Sequence, residues 1–191
     1  MRKLISVVHT SLDQFVAGEN GDFDELVQSP ENLDFICSLT DKADAVLAGR
    51  VSYEMLDSYW PTAHQSPGVS ASVVKYSHWY NSAEKIVLSN TLNENENDND
   101  NAIVLSKNIE DGITQIKNKK GKDILLFGSP SVCQALMKLK LIDECWIILY
   151  PVVLGNGIPL FKGIEKTIKL KFLAFTRFTM GEIAIHYKVE Y

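Results

Sequence analysis

The sequence predicts an α/β fold: a mostly parallel central sheet with helices on both faces and an antiparallel hairpin at the end of the chain. Three observations lead there. Short runs rich in Ile, Val and Leu alternate with segments of helical periodicity. Those runs are continuously apolar, as strands covered on both faces require. Near residue 170 the pattern changes to two long β-rich stretches flanking Met180-Gly181, which reads as a hairpin.

In order along the chain, strands are expected at 4–9, 45–48, 85–88, 103–105, 124–127 and 145–150. A helix follows Pro30, a residue suited to a first helical turn, with Ser29 as the N-cap and Leu33, Ile36 and Cys37 at helical spacing. Ile109, Ile113 and Ile116 mark a second helix face; Val132, Ala135, Leu136 and Leu139 mark another. The hairpin joins 170–178 to 182–191. Residues 93–101, NENENDNDN, are too polar to join a core and read as a flexible acidic, Asn-rich loop between two strands. They lack the glycine and spaced ligands of a calcium loop. No repeat or linker divides the chain, so 1–191 reads as one domain.

Composition narrows the function classes. With 191 residues and 46% hydrophobic content, the chain can bury roughly 70% of the surface it exposes when unfolded, without disulfide staples. Cys37, Cys133 and Cys145 are odd in number, widely spaced and set among apolar residues, as expected of buried thiols in a reducing, cytoplasmic setting. No CxxC pair occurs, and His9, His64, His78 and His186 lack metal-ligand spacing, so no metal site is expected. The apolar run near the N-terminus is too short for a signal segment, and no stretch approaches the ~20 residues of a membrane helix. A net charge of −5, with one small basic cluster at Lys117, Lys119, Lys120 and Lys122, argues against nucleic-acid binding.

Ligand chemistry is expected where strands end in small residues and a helix begins, because the helix N-terminus offers free N–H groups to an anion. Ala48-Gly49-Arg50-Val51-Ser52 has a glycine for close approach, a guanidinium fork and a hydroxyl; a structural turn with a surface arginine explains the same residues. Phe127-Gly128-Ser129-Pro130-Ser131 is a second such place, or a plain strand-to-helix turn. Neither is a GxGxxG fingerprint or a Walker loop. Thr10 to Gly18, with Asp13 among small and polar residues, Leu88-Ser89-Asn90, and the irregular PVVLGNGIPLF at 151–161 complete the set.

SLDQFVAG, AGRVSYE, IVLSN, ILLFGSPSV, LIDECWIILYPVVLGNGIPLF and the closing hairpin occur in the order and spacing of the dihydrofolate-reductase-like superfamily, a three-layer α/β/α fold. Across essentially the whole chain the sequence resembles the C-terminal reductase domain of the bifunctional riboflavin deaminase-reductase and its stand-alone relatives. The resemblance implies an NADPH site: Gly49, Arg50 and Ser52 on the phosphates, with Arg50 favouring the 2′-phosphate. It places Ser89 and Asn90 near the adenosine ribose phosphate and Gly128, Ser129, Ser131 and Val132 along the pyrophosphate and nicotinamide. The backbone near Val16 and Ala17 would meet the carboxamide. Dihydrofolate reductases place a Gly-Gly pair where this chain has Gly128-Ser129.

On the substrate side, dihydrofolate reductases carry an acidic residue on the first helix that anchors the pterin and assists protonation; here Glu31 and Asp34 are both near that place. Each is also explained as a solvated first-turn carboxylate. Asp13 matches an SLDG-type motif of the riboflavin branch, as a substrate ligand or as a loop-structuring residue. Tyr53, Trp60 and His64 are candidates to wall a pocket or to pack in the core. The HxE and PCxxC zinc motifs of the deaminase are absent.

The implied activity is NADPH-dependent hydride transfer to a small heterocyclic or sugar-linked substrate, as in reduction of 5-amino-6-(5-phosphoribosylamino)uracil. The chain has few basic residues near its motifs to receive that substrate's phosphate. Dihydrofolate reduction and a non-catalytic nucleotide-binding module are the alternatives. A homodimer is implied too, supported by Phe172, Phe175, Phe178 and Tyr187 on strands near a sheet edge; the same rings packed inward against helices are the alternative.

Overall fold

The structure, a computed structural model, describes residues 1–92 and 102–191. The 93–101 segment, expected to be a loop, lies outside the described residues. The described residues form ten strands and five helices: β1 (Leu4–Thr10), β2 (Phe15–Ala17), α1 (Pro30–Thr40), β3 (Ala43–Gly49), α2 (Arg50–Ala63), α3 (Ala71–Ser82), β4 (Glu84–Leu88), β5 (Ala102–Leu105), α4 (Ile109–Asn118), β6 (Asp123–Leu126), α5 (Pro130–Lys138), β7 (Glu144–Leu149), β8 (Ile158–Pro159), β9 (Lys169–Arg177) and β10 (Ile183–Glu190).

Eight strands form one sheet in the order β5-β4-β3-β6-β1-β7-β10-β9, and β2 pairs with β8 beside it. The pairings from β5 to β7 are parallel; β10 runs antiparallel to β7 and β9. The expected α/β architecture with its terminal hairpin is therefore the architecture observed. The central strands are covered on both sides, which is why their sequences are continuously apolar. Ile36 and Cys37 of α1, Leu56 and Trp60 of α2, and Tyr76 and Tyr80 of α3 pack with Val7, Val46, Leu125 and Ile148 on one face. Ile113 and Ile116 of α4 and Val132, Leu136 and Met137 of α5 pack with Leu4, Leu47, Ile124 and Ile147 on the other.

Several local readings of the sequence differ from the structure, among them the irregular stretches at 10–18 and 151–161, which hold the short strands β2 and β8. Ser29 has the extended backbone of an N-cap but its side chain makes no capping bond; its own N–H donates to Glu182 Oε1 at 2.7 Å, so the hairpin supplies an anion at the start of α1. Helix α3 escaped the apolar-stripe reading because its buried face is Tyr76, Ser77 and Tyr80 instead of aliphatic residues. Phe178 is 5% exposed and packs against Phe35, whereas Phe172 and Phe175 on the edge strand β9 are 56% and 65% exposed. All three cysteines are buried and unpaired. Among the described residues no helix is long and apolar enough to cross a membrane.

Candidate active site

The strand order creates a crevice. β3 and β6 are parallel neighbours, in register from Ala45↔Ile124 to Leu47↔Leu126, yet they lead into α2 and α5 on opposite faces of the sheet. Where neighbouring strands send their connections to opposite sides, the carboxyl ends part and admit a ligand. Gly49 and Ser129 are the N-caps of these two helices, and neither makes a side-chain capping bond, so first-turn N–H groups of both helices stay available to an anion.

The two glycine motifs meet there. A Cβ placed on Gly49 would lie 3.0 Å from both Ser129 Oγ and Val132 Cγ2, and one on Gly128 would lie 3.0 Å from Ser52 Oγ. Gly128 has φ +66°, a left-handed conformation that favours glycine, and its bond to Ser129 is cis. Ser129 Oγ and Ser131 Oγ are 2.8 Å apart. Gly49, Ser52, Gly128, Ser129 and Val132, drawn from motifs some eighty residues apart, thus share one small region. Arg50 is exposed and pairs with Glu54 at 3.0 Å, one helical turn on.

The remaining cofactor candidates lie along the same rim. Leu88 is in register with Gly49, which puts Ser89 and Asn90 just past the end of the neighbouring strand; Ser89 Oγ accepts from the N–H of Thr91 and of Leu92, and Asn90 is exposed. On the other side, Val16 and Ala17 are buried in β2, which pairs with β8, and α5 holds β8 through Gln134 Nε2 donating to the carbonyls of Pro159 and Leu160. Gly157 is required at that junction, since a Cβ there would stand 2.3 Å from the Ala17 carbonyl. The rim therefore runs from 89–90 through 49–52 and 128–132 to 16–17, following β4, β3, β6 and β1.

The three carboxylates read as substrate-side candidates are each engaged elsewhere. Asp13 accepts from Ser11 Oγ at 2.6 Å and from the N–H groups of Leu154 and Gly155 at 3.1 and 2.8 Å, tying the loop after β1 to the loop after β7. The Ser11 hydrogen bond, helped by those N–H groups, holds its carboxyl below the usual range. Glu31 accepts from Thr179 Oγ1 at 2.6 Å, which lowers its pKa in the same way. Asp34 is exposed and accepts from Ser72 at the start of α3. Tyr53 and Trp60 pack with core residues, and His64 Nδ1 lies 2.8 Å from Ser77 Oγ.

In its first turn α1 directs Asn32 inward, 1% exposed. Its Nδ2 donates to Tyr150 Oη at 3.2 Å, and Tyr150 Oη is 2.7 Å from His9 Nδ1. His9 shares the α1 side of β1 with Val7, two residues before it, and keeps partial exposure near the strand's end. Burial pulls the His9 pKa down to about 4, with the Glu182 carboxylate opposing. Burial also pushes the Tyr150 hydroxyl up, so burial favours the neutral form of both rings. Sequence reasoning passed over this trio. The available signal was positional: His9 and Tyr150 are polar residues at the carboxyl ends of two central strands, and Asn32 lies four residues before Ile36 on the buried helix stripe.

Fold and rim together define a dihydrofolate-reductase-like α/β domain. The structure superposes on the dihydrofolate reductase of Enterococcus faecalis in complex with NADP(H), with a TM-score of 0.61, 15% identity, 98% of this chain and 94% of that one. A putative riboflavin biosynthesis protein from Shewanella sp. PV-4 is more alike, at TM-score 0.76 and 24% identity over 99% of both chains. The uncharacterized protein YyaP of Bacillus subtilis (strain 168) is 33% identical over 188 residues, 97% of this chain and 94% of its own. The family model of the RibD C-terminal domain matches residues 2–183, and the chain belongs to that family.

Proposed function

We propose that this protein is an NADPH-dependent reductase that delivers a hydride to the carbon of a C=N or C=O group in a small heterocyclic or sugar-linked substrate. The observation that carries it is the convergence of two uncapped helix N-termini with Gly49 and Gly128, whose missing side chains leave a cradle that any Cβ would fill. The residues fit a dinucleotide: backbone N–H groups, Ser52, Ser129 and Ser131 for its diphosphate, Arg50 for a 2′-phosphate, and Val16, Ala17 and Val132 as an apolar wall for its ring. When bound, NADPH supplies the hydride. The chain's own residues bind and orient it, exclude water and hold the acceptor carbon in reach.

A uracil of the 5-amino-6-(5-phosphoribosylamino) type is the substrate class that the family suggests. Dihydrofolate is the weaker candidate, because α1 presents the amide of Asn32 inward while Glu31 and Asp34 serve other contacts. The proposed setting is the cytoplasm and the proposed assembly a homodimer formed through the exposed apolar side chains of β9. The deciding assay follows NADPH oxidation against a panel of aminouracils and pterins. NADPH binding without turnover of any of them would leave the non-catalytic reading in its place.

A further inference from the structure

Resting on the reductase reading above, we propose that His9 is the substrate-facing hydrogen-bond donor of this site. Tyr150 and Asn32 hold its ring as the tautomer protonated on Nε2, and that N–H meets an uncharged acceptor, a carbonyl oxygen or ring nitrogen of the substrate heterocycle.

The direction of the hydrogen bonds carries the first step. Asn32 Nδ2 donates to Tyr150 Oη, which leaves the single hydroxyl hydrogen of Tyr150 able to point at its other partner, His9 Nδ1. An imidazole that accepts at Nδ1 and is neutral bears its proton on Nε2. That second nitrogen makes no hydrogen bond to any described residue, while the ring is only partly exposed. Nε2 is not among the buried unpartnered atoms, so its N–H opens toward the crevice, where a bound ligand can meet it.

Position carries the second step. β1 lies between β6, which runs into Gly128, and β7, which runs into Tyr150, so His9 stands beside the cofactor rim on the α1 side. The neighbouring charge is Glu182, buried on the hairpin and engaged with the Ser29 N–H. A neutral imidazole donor suits an uncharged acceptor, whereas an ionised carboxylate would select a protonated ring. In the reduction the acceptor carbon gains a C–H bond from the hydride. The dihydronicotinamide C–H bond that supplies the hydride would break, the π pair of the reduced C=N or C=O would move onto its heteroatom, and that atom would take a proton from water and release hydroxide, while His9 keeps its own proton and holds the heterocycle. Tyr150 and Asn32 are positioning residues.

The test uses nitrogen-correlated NMR of the histidines in the free and the NADPH-saturated protein, with 5,6-diaminouracil as the titrant. The expected results are the Nε2–H tautomer of His9 in both forms and a saturable shift of its ring nitrogens with titrant. His9→Ala should weaken titrant binding by roughly 3- to 10-fold, the usual strength of one hydrogen bond, and His9→Gln, which keeps an N–H, should restore most of it. Tyr150→Phe should leave a mixture of tautomers, which a purely structural role would not produce. The Nδ1–H tautomer overturns the proposal, as does NADPH binding with no titrant-dependent His9 shift or with undiminished affinity in His9→Ala. Failure of NADPH itself to bind overturns the reductase reading instead, and the tautomer in the free protein still decides whether the Asn32–Tyr150–His9 arrangement holds.

Discussion

Gly49 and Ser129 approach so closely that a methyl group on Gly49 would meet the Ser129 hydroxyl at 3.0 Å, and Val132 at the same distance. The extended backbone of Gly49, φ −76° and ψ 163°, is open to any residue, so the glycine is needed for space and not for conformation. Gly49→Ala should therefore cost about 1–3 kcal/mol of stability by overpacking. It should weaken NADPH binding further, because the new methyl fills the cradle. Urea unfolding and calorimetric titration read the two effects separately.

Arg50 is tested by its choice of cofactor. Its ion pair with Glu54 is exposed and, as an i,i+4 pair, worth only about 0.3–0.5 kcal/mol, so Arg50→Ala should hardly change stability. Loss of a charge-assisted contact to a 2′-phosphate should weaken NADPH binding by roughly 1.5–3 kcal/mol while changing NADH binding much less. Equal losses for both would remove Arg50 from 2′-phosphate recognition.

Asp13 carries a pH signature. Its folded pKa lies below the ordinary 3.8, chiefly through the Ser11 hydroxyl, so its contribution is complete above the unfolded value and is lost as pH falls through the folded one. Asp13→Asn should lower the urea midpoint at pH 7, and the gap from wild type should close toward pH 3. A gap independent of pH would mean that the loop tie to Leu154 and Gly155 does not depend on the carboxylate's charge.

The aromatic residues of the terminal hairpin test the proposed dimer against core packing. Phe175→Glu on exposed β9 should leave folding intact and shift light scattering at micromolar concentration from twice 21.4 kDa to the monomer mass. Phe178→Ala, which empties a core position, should cost about 3–5 kcal/mol without a specific effect on mass. A wild-type mass of one chain would sink the dimer.

The strands were legible because their apolar runs are unbroken, and the rim at 49–52 and 128–132 was legible because glycine and serine follow a strand and open a helix. What escaped depends on distant partners. Asn32 meets Tyr150 across 118 positions and Tyr150 meets His9 across 141, so no local pattern joins them. Asp13 ties to Leu154 and Gly155 across 141 and 142 positions, which no local pattern reveals. α3 was hidden because tyrosine rings and a serine, not an aliphatic stripe, face the core.

The crevice between β3 and β6 is the proposed NADPH site. Titration of nitrogen-15-labelled protein with NADPH, followed through backbone amide shifts, tests it most directly. Saturable shifts are expected at 49–52, 89–90 and 128–132, extending to 16–17, with NADH requiring a higher concentration for the same change. Shifts confined to other residues, or none at millimolar NADPH, would contradict it.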